Sequence, residues 1–181
     1  MALTGEPQST RAWARGSQGE RELADALGDV KGIRVLHDRR VPGTRANIDH
    51  IAIAPGGVFV IDAKRYDGTI RIRDVGGFFK HEDRLFVGRR DCSPLAENMN
   101  WQVDAVARAL AAAKVEPVPL ITPVLCFVRG EWPLLFPPEA YRGVRLEGTL
   151  SIKKLVARER VLEDAAIDSL TRILAGALPA K

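Results

Sequence analysis

The stretch that most constrains this chain is Asn47–Arg65, NIDHIAIAPGGVFVIDAKR. Two apolar runs, 48–54 and 58–63, flank Pro55-Gly56-Gly57. Proline and glycine there favour a reversal, so the segment is expected to form a β-hairpin. Strands of such apolar character belong in a core, yet these carry Asp49 in the first run and Asp62 and Lys64 at the end of the second. Side chains alternate faces along a strand, so Asp62 and Lys64 point one way while Ile61 and Ala63 point the other. Buried charge is costly unless it is paired or bound to a metal. A hairpin that places two carboxylates and an ammonium on one face is therefore read as a site.

The 181 residues, 46% hydrophobic, suit one compact domain. Lys and Arg number 27 against 23 Asp and Glu, a mildly basic balance that favours an anionic partner. The Arg- and Ala-rich composition fits a GC-rich genome equally well. Cys92 and Cys126 have no CxxC spacing, so neither a zinc site nor a disulfide framework is expected, and a reducing cytoplasm fits. The first residues lack the apolar stretch of a signal peptide, and no apolar run reaches bilayer length, so a soluble cytoplasmic protein with no membrane partner is expected.

Residues 1–15 are polar, with Gly5 and Pro7, and read as a flexible segment preceding a domain over 16–181. From Ser17 a helix is expected, with Leu23, Ala24 and Leu27 as its apolar stripe and Gly28 as its stop. Glu20 falls on that stripe rather than with Arg21, Glu22 and Asp25. It is either a first-turn glutamate favoured by the helix dipole or a member of the site. Residues 33–41 read as a strand, followed by the hairpin and by a further strand over 69–73. Segments 76–80 and 84–87 suggest a small hairpin around His81, whose basic residues, with Arg89 and Arg90, could touch a phosphate backbone or solubilise an edge.

Ser93-Pro94 is expected to cap and open a second helix running to about Lys114. Met99, Val103, Val106 and Leu110 form its core stripe, and Gln102 lies among them, where a buried amide must find partners. Residues 120–128 read as a buried strand, with Pro123 hinting at an edge or a strand start. Residues 144–146 read as a last short strand, and 151–158 and 162–174 as terminal helices. The sum is an α/β sandwich with a mixed sheet.

Glu20, Asp49, Asp62, Lys64 and Gln102 thus come from elements able to converge. Oxygen donors without Cys or His suit a hard divalent cation. Such an ion activates water toward a phosphodiester, and a nearby lysine places that water or offsets transition-state charge. The ordered set Gly19-Glu20, Ile48-Asp49-His50, Pro55-x-Gly57-x-Phe59-Val60-Ile61-Asp62-x-Lys64, Gly68, and Asn98 with Gln102 resembles the PD-(D/E)xK nucleases, specifically the nuclease-related domain (NERD) family.

The resemblance implies a restriction-endonuclease-like αβββαβ core with a mixed central sheet flanked by helices. It implies a metal-dependent deoxyribonuclease using Mg²⁺ or Mn²⁺, with DNA as partner. Asp49, Asp62 and the backbone carbonyl of Ala63 would hold the metal, Glu20 would support it, Lys64 would be the catalytic lysine, and Gln102 would contact water or phosphate. Three departures stand out. Ile48 replaces a proline, Asp62 replaces the more usual Glu and shortens the reach, and Met99 replaces a proline after Asn98. His50 alternates away from Asp49 and is expected on the other side of the sheet. Trp13, Trp101 and Trp132 are expected to be structural rather than base-stacking.

Two other readings compete. One is a non-catalytic nucleic-acid-binding or scaffolding domain, acting with a helicase or other DNA-processing partner. The other is a structural salt-bridge network in which Asp49 and Lys64 neutralise each other. A homodimer is compatible with the nuclease reading, since one site cuts one strand at a time.

Overall fold

The computed structural model describes residues 8–77, 80–158 and 161–181, with side chains from residue 18 onward. Its first helix, α1, spans Gln8–Gly28, so it begins well before the expected start at Ser17. The residues 8–15 are rich in Gln, Ala and Arg, good helix formers that extend the register backward. Of the segment expected to be flexible, 1–7 lie outside the described residues and 8–15 are helical.

The main sheet is built from β1 (Arg34–Arg40), β2 (Asn47–Ala54), β3 (Gly57–Lys64), β7 (Ile121–Phe127), β10 (Val144–Glu147) and β9 (Ala140–Tyr141), in that spatial order. β1, β2 and β3 are antiparallel neighbours, β3 and β10 both run parallel to β7, and β9 closes the far edge antiparallel to β10. This is the expected mixed sheet. A second, smaller sheet orders β6 (Arg90–Asp91), β5 (Asp83–Val87), β4 (Gly68–Asp74) and β8 (Gly130–Glu131).

The helices α2 (Ser93–Ala112), α3 (Thr149–Val156) and α4 (Asp164–Ala177) complete the fold. α2 and α4 pack together on one side of the main sheet, and α1 and α3 pack together on the other. Strand alternation divides the core accordingly. Ile51, Ile53, Val58, Val60, Leu125 and Phe127 join Met99, Val106 and Leu110 of α2, with Ile70, Leu85 and Val87 of the small sheet extending this cluster. Ala52, Phe59, Ile61, Ala63, Val124 and Cys126 instead meet Leu23 and Leu27 of α1 and Ile152 and Val156 of α3. Each half contains enough buried branched aliphatic surface to hold its helices by hydrophobic packing.

Several local readings change. β5 pairs with β4, Ile70 facing Val87 and Arg73 facing Arg84, rather than with 76–80. Gly76, Gly77 and Lys80 are loop, and Phe78 and Phe79 lie outside the described residues. Ser93 is not the cap of α2. Cys92 occupies that position, because the Ser93 hydroxyl accepts the backbone N–H of buried Leu85 at 3.0 Å and is therefore engaged in holding β5. β7 is internal rather than an edge. Pro123 is tolerated because the ladder to β10 begins one residue later, at Val124.

Candidate active site

The strand alternation that builds the core also gathers the charges. Asp49 shares the face of Ile51 and Ile53, and Asp62 and Lys64 share that of Val58 and Val60, so all three look toward α2. Asp62 is 6% exposed, and its Oδ1 forms an ion pair with Lys64 Nζ. Asp62 is also hydrogen-bonded to Asp49. One buried carboxylate is thus shared between a cation and a second carboxyl group.

Two carboxylates so close cannot both ionise freely. Burial first, then the charge and hydrogen bond of Asp62, push Asp49 up to about 8. Burial alone would lower Lys64, but the charge and hydrogen bond of Asp62, reinforced by Asp49, outweigh it and hold the lysine above its ordinary value. Lys64 is therefore an ammonium at neutral pH. An Asp49–Lys64 ion pair, one of the structural alternatives, is not formed among the described residues. The lysine pairs with Asp62 instead.

Glu20 approaches from α1, on the other side of the sheet. The helix crosses the end of β3 closely at Gly19, where a Cβ would sit 3.0 Å from that of Arg65. Glycine permits this approach, which is secured by an Arg65–Glu22 pair at 3.4 Å. Glu22, off the apolar stripe, is thus the ion-pair partner that ties α1 to the end of β3. Glu20 is half-buried. Burial, with Asp38 and Asp62, raises its pKa, while Lys64 opposes the rise. It therefore lies within the field of the cluster without completing a three-carboxylate ligand group. Among the described residues, the group of three acidic or imidazole donors within 4.8 Å of one another is Asp74, His81 and Asp83, exposed on the small sheet.

Gln102 lies on α2. It is 6% exposed, its Nε2 donates to Met99 Sδ at 3.7 Å, and its Oε1 is buried with no partner. Asn98, four residues earlier, is exposed. The donor set offered here is carboxylate and amide oxygen only, which fits a hard divalent cation and its water better than zinc or copper. An orphaned buried amide oxygen is what such hydration would satisfy. Ala63 turns its side chain to the opposite cluster, beside Leu23 and Cys126.

The remaining candidates fall outside this group. His50 does face away from Asp49. It packs edge-on against His37, Nδ1 to Nδ1 at 2.8 Å. Trp132 packs against the core, Trp101 is 37% exposed, and the side chain of Trp13 lies outside the described residues. Cys92 and Cys126 are buried and free. A cavity of about 830 Å³ is lined by Gly56, Phe59, Leu120 and Leu170 at the opposite end of β3 from Lys64, and holds none of the charged set. Its apolar lining makes it a packing groove, so the chemistry rather than the volume locates the site.

With this geometry in view, comparison with protein families shows that the chain matches the model of the nuclease-related domain over residues 15–128. The chain belongs to the nuclease-related domain family. The match spans well over half of the chain and runs from α1 through β7, so it contains every member of the charged set. No curated protein and no solved structure matches the chain. The mixed α/β architecture is that of a nuclease-like fold, and no helix among the described residues is long and apolar enough to cross a membrane.

A pair beside the site was missed in the sequence. Tyr66 carries the guanidinium of Arg90 over its ring, 4.5 Å from the centroid. Arg90 reads in the sequence as a cation that touches a phosphate backbone or solubilises an edge, and nothing local in sequence brings residues 66 and 90 together. The pairing of β4 with β5 does so.

Proposed function

We propose that this nuclease-related domain is a divalent-metal-dependent nuclease hydrolysing DNA phosphodiester bonds, serving DNA processing, repair or defence in the cytoplasm. The observation that carries this reading is the convergence of Asp49, Asp62 and Lys64 on one face of β2 and β3. A packed core has no use for such an arrangement.

Asp49, Asp62 and the carbonyl of Ala63 would hold Mg²⁺ or Mn²⁺, with Glu20 in support. A cation bound there would polarise the phosphoryl group and lower the pKa of its water. Asp62 orients Lys64, whose ammonium is placed to offset negative charge developing on the phosphorus centre. Gln102 accepts a hydrogen bond from the attacking water or orients the phosphate, its amide held by Met99. The basic balance of the chain favours the polyanionic substrate, and a homodimer would supply the second site needed to cut both strands.

The test is cleavage of supercoiled, linear duplex and single-stranded DNA in Mg²⁺, Mn²⁺ or EDTA by the wild type and by Lys64→Ala, purified identically. Metal-dependent cleavage that falls by about 100-fold or more in the variant is expected. Absence of cleavage by the wild type, or equal cleavage by both, overturns the catalytic reading in favour of a binding module.

A further inference from the structure

The site has a charge problem with respect to the substrate proposed for it. The one ammonium of the set, Lys64, is already paired with Asp62, so without a metal no free cation of the set is left to meet a phosphate backbone. A cation outside the metal centre is needed to bring the strand in. Most arginines nearby are already engaged. Arg65 pairs with Glu22, Arg129 with Asp67, and Arg84 with both Glu82 and Asp91.

Arg90 differs. It is exposed and forms no ion pair with a described carboxylate, yet it is not loose, because its guanidinium lies over the ring of half-buried Tyr66. Tyr66 follows Lys64 by two residues on the way out of β3. The turn carrying Arg90 is pressed against this exit. Gly88 donates its N–H to the carbonyl of Thr69 at 3.0 Å, and a Cβ on Gly68 would lie 2.8 Å from Gly88 Cα. Asp91 holds the other side by accepting the N–H of Ser93 at 2.9 Å. The buried thiol of Cys92 senses the positive charge of both Arg90 and Lys64, so the two cations surround one point of the fold.

We infer that Arg90, held on Tyr66, is a positioning residue that grips a backbone phosphate of the nucleic acid adjacent to the scissile one. A planar guanidinium offers two parallel N–H donors to phosphate oxygens, and stacking on an aromatic ring leaves that fork free at its edge. Because the side chain is already ordered, little rotamer entropy is lost on contact. The inference rests on the nuclease reading for its substrate. Its primary test does not depend on turnover.

Binding of fluorescein-labelled single-stranded and duplex oligonucleotides to the full chain is measured in EDTA across a salt series. Arg90→Ala is expected to weaken binding about five- to tenfold and to reduce the slope of log affinity against log salt by about one phosphate contact. Arg90→Lys keeps the slope, because the charge remains. Tyr66→Ala weakens binding with the slope retained, because the arginine loses its support but not its charge. Arg172→Ala, on α4, changes neither. In Mg²⁺, Arg90→Ala raises KM more than it lowers kcat, the reverse of Lys64→Ala.

A wild type that binds but does not cleave defeats the nuclease reading and leaves Arg90 to be judged by the salt slope. A wild type that cleaves while folded Arg90→Ala keeps both slope and KM overturns the Arg90 assignment alone. A wild type that binds neither oligonucleotide at low salt overturns it as well.

Discussion

Gln102 donates its amide to Met99 Sδ one turn earlier on α2, 3.7 Å away, and leaves its own Oε1 buried without a partner. An unsatisfied buried carbonyl costs about 1–3 kcal/mol. Replacing the amide by an apolar group of similar volume removes that cost. Gln102→Leu is therefore expected to raise metal-free stability by about 1 kcal/mol while reducing cleavage. Urea unfolding in EDTA and initial cleavage rates check both halves. A variant that is destabilised and fully active would show that Gln102 serves packing and not the site.

Asp49 and Asp62 form a second conflict of this kind. Burial and the neighbouring carboxyl group hold Asp49 well above the ordinary carboxylate range. A divalent cation relieves the repulsion that a shared proton relieves in its absence. In thermal unfolding, Mg²⁺ or Mn²⁺ at ten times its dissociation constant is expected to stabilise the wild type by about 1.4 kcal/mol. Asp49→Asn, which cannot ionise and so needs no proton to sit beside Asp62, should be at least as stable as the wild type in EDTA and should lose most of the response to metal. A purely structural charge network predicts no response to metal in either protein.

The contrast between what was and was not legible in the sequence follows from the range of the interactions. The hairpin 47–64 and the face shared by Asp49, Asp62 and Lys64 are properties of alternation along neighbouring strands, so local pattern sufficed. The burial of Gln102 followed equally from helical spacing. The small sheet was misread because the partner of β5 is β4, across a loop, and hydrophobic alternation does not name a partner. Ser93 was misread as a cap for a related reason. Its hydroxyl has a choice of acceptor and donor roles, and a tertiary partner, Leu85, took it. The Tyr66–Arg90 stack depends on both of these long-range facts.

Gly68 is the hinge of that arrangement, with φ +123 and no room for a side chain against Gly88. The conformation is one that L residues rarely adopt, and the obstacle is backbone, which cannot move aside cheaply. Gly68→Ala is expected to destabilise by about 2–3 kcal/mol, read as a fall of several degrees in Tm. It should also weaken oligonucleotide binding by displacing Arg90 from Tyr66. Unchanged thermal stability would mean that the small sheet does not pack against the exit of β3 in this way.

The His37–His50 pair gives the fold a dependence on pH. His50 is 3% exposed, its Nδ1 is shared with His37 at 2.8 Å, and its Nε2 has no partner. Burial first, then the proximity of His37, lowers its pKa to about 3 from an ordinary 6.5. Burial also lowers His37, against the pull of Asp38. A histidine whose pKa is depressed in the folded state binds its proton more readily when unfolded. The stability gained by keeping it neutral is thus fully present above about pH 6.5 and is lost as pH falls toward 3. Within that window one such group costs about 1.4 kcal/mol per pH unit. A cation bound on the opposite face of β2 would depress His50 further and act in the same direction. Urea unfolding of the wild type and His50→Leu at pH 7, 6 and 5 checks this. The variant is expected to gain on the wild type by on the order of 1–2 kcal/mol between pH 7 and 5. Parallel pH profiles for the two proteins would show that His50 does not titrate with unfolding.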